Sequence, residues 1–118
     1  MFILDSFIVG ARSCAAPVPV LRTGRHRQQT GDAANVAMNL AGLGARMTVI
    51  GFGGGDANQY VLEARLDTTG VKFSILACPG TPTTSKPRVP AGHQQLLRMD
   101  CGGKPAYTAT ASEILYVV

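Results

Sequence analysis

The stretch from Gly31 to Gly51, GDAANVAMNLAGLGARMTVIG, limits what this chain can fold into more than any other part of it. Between Asp32 and Leu43, the residues Ala33, Ala37, Leu40, Ala41 and Gly44 fall at helical spacing, and Gly44 can take the left-handed stop without strain. A helix with so small-sided a stripe must lie close against a sheet. Arg46 to Gly51 then reads as a short buried strand, and Ala57 to about Thr68 as a second helix that turns Val61, Leu62 and Leu66 inward and ends at Gly70. Val71, Phe73, Ile75 and Ala77 alternate with Lys72, Ser74 and Leu76 as another strand. Helix, strand, helix, strand in this order implies right-handed crossovers and a largely parallel sheet, an α/β fold.

The flanks are of a different kind. Phe2 to Val9 is β-branched or aromatic apart from Asp5 and reads as a strand carrying one acid. Ala16 to Leu21 alternates proline, which suits an edge strand or polyproline segment, and Gln28 to Gly31 is polar and turn-like. Thr84 to Val89 and Gln94 to Asp100 are two extended runs joined by Pro90-Ala91-Gly92-His93 as a four-residue turn, a β-hairpin projecting from the α/β layers. Beyond a loop at Gly102 to Pro105, Thr108 to Glu113 suggests a helix and Ile114 to Val118 a central strand. The whole is 118 residues, enough for one small domain. Gly and Pro supply 21 of those residues, and only 15% are charged, so the chain is rich in turns and poor in surface charge.

Several function classes drop out. The net charge of +4 is concentrated in Arg22, Arg25, His26 and Arg27, with no aromatic side chain among them, which is not the basic, aromatic-laced stripe of a nucleic-acid binder. Cys14, Cys78 and Cys101 are odd in number and widely spaced, with no zinc-ligand pattern, and read as free thiols of a reducing compartment. The apolar start lacks a basic lead, is broken by Asp5 and carries Arg12 where a cleavage signal needs small residues. No apolar run approaches the 18 or so residues that span a bilayer, so a cytoplasmic, membrane-free protein is expected. Gly51, Gly53 and Asp56 come near a GxGxxG dinucleotide loop, but Asp56 replaces the third glycine and the following strand carries no acid at its end. Gly54-Gly55-Asp56 also has the composition of a turn that presents a carboxylate and free amides to a phosphate at a helix start.

The more informative polar residues are dispersed. Asp5 lies in an apolar strand, Asn35 follows Gly31 at the opening of a helix, and Lys86 and Arg88 are two apart on an extended segment and so project to one side. A carboxylate and an amide suit sugar hydroxyls, whereas paired cations suit a phosphate. Each also has a plainer role: Asp5 as a strand-end cap, Asn35 as a first-turn helix residue, and the cations as a solvated hairpin face.

In this order the runs APVPVLR, GDAANVAMNLAGLGARMTVIG, TPTTSKPRV and HQQLLRMD resemble the amino-terminal half of the ribokinase-like (PfkB) carbohydrate kinases, over roughly residues 3 to 100. The resemblance is greatest to the branch acting on heptose 7-phosphate in lipopolysaccharide core precursor synthesis. It implies a partial three-layer ribokinase-like sheet with a projecting β-hairpin lid. The chain is then a single incomplete domain, residues 1–118, with lid segments at about 16–30 and 84–100. Asp5, Gly31 and Asn35 take the sugar-binding positions, and Lys86 and Arg88 the basic pair that meets a sugar phosphate. In such kinases the sugar hydroxyl attacks the γ-phosphate of ATP with Mg²⁺ present. The resemblance implies that ATP, the metal and the catalytic residues belong to a half outside this chain, which leaves it substrate binding alone.

Two departures stand out: Asp32 occupies the second glycine of the family's GGAAN motif, and Pro87 interrupts a lid strand. The alternative reading is a non-catalytic module that binds sugar or forms a homodimer through the lid.

Overall fold

The two helices form because each has a small or apolar stripe and a defined stop. In a computed structural model describing residues 3–13 and 20–102, α1 spans Asp32–Gly42 and α2 Ala57–Thr68. Each is followed by a glycine of positive φ, Gly44 at 88° and Gly70 at 73°. Between and after them lie β3 (Thr48–Gly53) and β4 (Lys72–Ala77), paired in parallel with α2 as the crossover, so this part is the α/β body expected from the sequence.

The other four strands make a separate sheet. They are β1 (Ile3–Ser13), β2 (Val20–Thr30), β5 (Thr84–Ala91) and β6 (Gln94–Arg98), in the spatial order β2-β1-β5-β6. Only the β1–β5 pairing is parallel, so the largely parallel sheet inferred from the helix–strand alternation holds for the body and not for this mixed layer. Gln28 to Thr30 is not a turn. These residues complete β2 by pairing with Ser6, Asp5 and Leu4, because an edge strand with solvated side chains needs no apolar alternation. The β5–β6 hairpin closes through two residues, Gly92-His93, instead of four: Pro90 and Ala91 still pair with Gln95 and Gln94, and Gly92 takes φ 60°. The helix and strand expected at 108–118, the loop before them and the proline-rich segment 16–19 lie outside the described residues, as does Cys14.

Among the described residues, two of the contacts that tie the four-stranded sheet to the body stand out. Leu4 of β1 is fully buried in one cluster with Ala34, Ala37, Val49, Leu62, Leu66 and Val71. The buried face of α1 is thus Ala34, Ala37, Met38 and Ala41; Ala33 and Leu40 point outward, one step round from the stripe read in the sequence. Both phases are small-sided, and Leu4 together with the Thr30 hydroxyl donating to Met38 Sδ (3.1 Å) selects between them. The second tie is Thr83, 1% exposed at the entrance to β5, which is held by the loop before α2. The result is elongated, 56 × 35 × 18 Å with a radius of gyration of 16.8 Å, where a compact chain of 100 residues measures about 13 Å. A sheet projecting from a small body explains the difference.

Candidate functional site

One face of the projecting sheet collects three of the polar residues singled out in the sequence, Asp5, Lys86 and Arg88. Side chains two apart along a strand share a face, and cross-strand partners share it too. Asp5 is opposite Gln29 on β2 and Lys86 on β5, and Phe7 is opposite Arg27 and Arg88. Two rows result, Gln29–Asp5–Lys86 and Arg27–Phe7–Arg88, separated by about 7 Å of strand.

Within them, Arg88 Nη1 lies 3.1 Å from Asp5 Oδ1, and the guanidinium carbon sits 5.4 Å from the centre of the Phe7 ring. Both partners are well covered, the Asp5 side chain 14% exposed and that of Arg88 25%. The ion pair is close but not aligned as a hydrogen bond, and the buried Asp5 Oδ1 has no aligned donor. The guanidinium offsets the charge of that oxygen, and the atom keeps capacity for an aligned donor.

Gly31 completes this corner. Its amide donates to the Ile3 carbonyl (2.9 Å), and a Cβ there would stand 3.1 Å from Asp5 Oδ2 and 3.1 Å from Ile3 Cγ2, so a side chain would crowd the carboxylate. Asn35 follows one helical turn later, its amide donating to the Gly31 carbonyl (3.4 Å), with its side chain exposed. The structure therefore brings Asp5, Gly31, Lys86 and Arg88 to one corner and sets Asn35 a turn away on α1, joined to Gly31 through its backbone amide and with its side chain exposed. Asp32 adopts φ 43°, a left-handed conformation that glycine takes freely and other residues do not, and α1 has no side-chain cap. The sequence reading missed Arg27 and Gln29. Their signal was alternation within β2, which was hidden while Gln28 to Gly31 read as a turn.

The glycine loop is a structural device, not a phosphate cradle. Asp56 caps α2, its Oδ1 accepting from the Gln59 amide (3.1 Å) and its Oδ2 from the Thr83 amide (2.9 Å). The Gly54 amide donates to the Thr83 hydroxyl (2.8 Å) and the Gly55 amide to Gln59 Oε1 (2.8 Å). With these donors engaged by the chain's own side chains, neither the dinucleotide reading nor the anion-turn reading of the loop survives. Partial burial raises the Asp56 carboxyl, but the Thr83 hydroxyl and the Thr83 and Gln59 amides outweigh it, and the group sits below its ordinary value. Among the described residues no cluster of three or more His, Cys, Asp or Glu is placed to hold a metal ion. No described helix is long and apolar enough to cross a membrane.

An α/β body carrying a mixed-sheet lid is the fold shared with the sugar kinases that superpose on it. The family model for pfkB family carbohydrate kinases matches residues 8–114, and the chain belongs to that family. Among curated relatives it is 45% identical over 100 residues to the bifunctional protein HldE of Koribacter versatilis. It is also 45% identical over 85 residues to a D-beta-D-heptose 7-phosphate kinase of Bordetella bronchiseptica. Those matches cover 82% and 72% of this chain but only 21% and 27% of the relatives' lengths. Among solved structures, a putative sugar kinase from Clostridium perfringens superposes with a TM-score of 0.77 at 12% identity, over 98% of this chain and 38% of that one. Phosphofructokinase-2 from Escherichia coli in complex with fructose-6-phosphate superposes with a TM-score of 0.75 at 22% identity, over 99% of this chain and 39% of that one. The fold is thus the partial ribokinase-like α/β arrangement with a projecting lid that the sequence resemblance implied.

Proposed function

We propose that residues 1–118 form the sugar-binding part of a carbohydrate kinase acting on heptose 7-phosphate, with lid segments at about 16–30 and 84–100. Asp5 accepts hydrogen bonds from sugar hydroxyls, Asn35 adds an amide from the start of α1, and Gly31, having no side chain, does not crowd the carboxylate. Lys86 and Arg88 meet the phosphate. The observation that carries this reading is the Asp5 carboxylate: buried, beside Arg88, against a glycine that leaves room, and still lacking an aligned donor at Oδ1. A sugar hydroxyl is a donor of the right kind for that atom.

Transfer of the ATP γ-phosphate to the sugar is proposed for the whole kinase, of which the curated relatives are several times longer than this chain. The glycine loop does not fit an ATP–Mg²⁺ site, since its Gly54 and Gly55 amides are engaged by Thr83 and Gln59. No step through nucleotide or metal is assigned to the described residues. Calorimetric titration tests the binding role. Heptose 7-phosphate should bind the native chain, and Asp5→Asn and Arg88→Ala should each weaken it by about tenfold or more. Equal affinity in all three proteins contradicts the reading.

A second reading, association of two copies through the lid, draws on Leu97 of the edge strand β6 and Met99 just beyond its end, which are 51% and 39% exposed. Sizing chromatography over a range of concentrations separates it, a persistent monomer removing it.

A further inference from the structure

We propose that Arg27, which faces Arg88 across Phe7, is a specificity-determining residue: with Arg88 it clamps the phosphate ester of the sugar and makes this lid select phosphorylated over unphosphorylated sugars. The inference rests on the sugar-binding reading above and adds to it the residue that recognises the phosphate.

Four observations carry it. Arg27 and Arg88 are the cross-strand partners of Phe7 on its two sides, so their side chains rise from the same face, their backbones about 10 Å apart. A phosphate between two arginine arms is within reach of both forks. Arg27 lines a concavity of about 150 Å³ with Phe7, Val9 and Gln29, which gives the anion a place to sit beside the ring. Arg27 is exposed and has no ion-pair partner among the described residues, whereas Arg98, the next cation along the row beyond Arg88, is bound to Asp100 at 2.9 Å. Finally, the arginine row stands about 7 Å along the strand from the Asp5 row. That separation suits a ligand with hydroxyls at one end and a phosphomonoester several carbons away, and it does not suit inorganic phosphate alone.

Arg88 is already committed to Asp5 and stacked on Phe7, so it arrives preoriented but partly neutralised. Arg27 supplies the uncompensated charge. It is a binding residue in this account and takes no part in chemistry.

The test is calorimetric titration of the full chain with heptose 7-phosphate and, separately, with the unphosphorylated heptose. Arg27→Gln should weaken the phosphorylated sugar at least ~10-fold and leave the free sugar unchanged. Arg27→Lys, which keeps the charge but not the fork, should lose less. Arg46→Gln, an equal change of charge on the body, should alter neither. If Arg27→Gln leaves both ligands unchanged, or weakens both equally, while Asp5→Asn still weakens both, the phosphate role of Arg27 is overturned and the sugar-binding reading stands. If the native chain binds neither ligand, or Asp5→Asn changes nothing, the underlying reading fails and this inference with it.

Discussion

The body and the lid hold together by different means. In the body, α1, α2, β3 and β4 close on a single cluster in which Leu62 and Leu66 are fully buried, and hydrophobic spacing specifies most of it, with Leu4 of β1 setting the phase of α1. The lid strands are long and mostly half-exposed, and they are organised by register: which residue stands opposite which decides that Asp5, Lys86, Arg27 and Arg88 share a face. A core tolerates little change in volume. A solvated sheet tolerates much, provided its ends are anchored. Here the anchors are Leu4, sunk into the body cluster, and Thr83, held by Asp56 and Gly54. Stability is thus concentrated in one region, and the residues proposed to recognise a ligand lie in the other.

The sharpest way to break this comparison is to remove equal bulk from each region. Leu66→Ala should cost ~2–5 kcal/mol, since it empties a fully buried site, and Leu97→Ala, half-exposed on β6, should stay within ~0.5 kcal/mol. Urea unfolding followed by circular dichroism measures both, and similar losses would mean that the lid has a core of its own.

A smaller effect probes the second anchor. Asp56→Ala removes the α2 cap and the hold on Thr83, for a loss of ~1–2 kcal/mol. Because the folded-state carboxyl lies below its ordinary value, its contribution is fully present above the unfolded value of ~3.9 and disappears as pH falls through the lower folded value. The stability gap between native chain and variant should accordingly be flat from neutral pH down to about 5 and close below about 4. A gap that widens on acidification would contradict the assignment.

The smallest expected change lies where the two regions meet. Asp32→Gly relieves the left-handed backbone at φ 43° and should stabilise by ~0.5–1 kcal/mol, while Asp32→Ala should not. The glycine variant also removes a negative charge next to Gly31 and should bind the sugar phosphate more tightly. A lower melting temperature for Asp32→Gly would show that the aspartate is favoured at this position for a reason other than backbone conformation.

The same contrast explains what could be read from the sequence. Helix α2 was legible to its ends because Asp56 and Gly70 mark them and Leu62 and Leu66 repeat at helical spacing. The buried face of α1 was legible only as a choice, since alanines run through two adjacent phases and Leu4, thirty residues earlier in the fold's wiring, decides between them. Asp5, Lys86 and Arg88 could be picked out by residue type and by resemblance, but their meeting depends on a parallel pairing between strands about eighty residues apart, which no local pattern encodes. Arg27 and Gln29 were hidden for a related reason. A polar edge strand carries no apolar alternation, and Gln28 to Thr30 resembled a turn until its pairing with β1 was seen.

The central claim is that the Asp5 and Phe7 rows of the lid face a single phosphorylated sugar. Backbone amide shift mapping by NMR during titration with heptose 7-phosphate tests it most directly, because the body offers a competing basic cleft lined by Arg46 and Lys72. The account predicts that the largest shifts fall at Asp5, Phe7, Arg27, Gly31, Lys86 and Arg88, with Arg46 and Lys72 unmoved. Shifts centred on Arg46 and Lys72, with the lid rows silent, would contradict it.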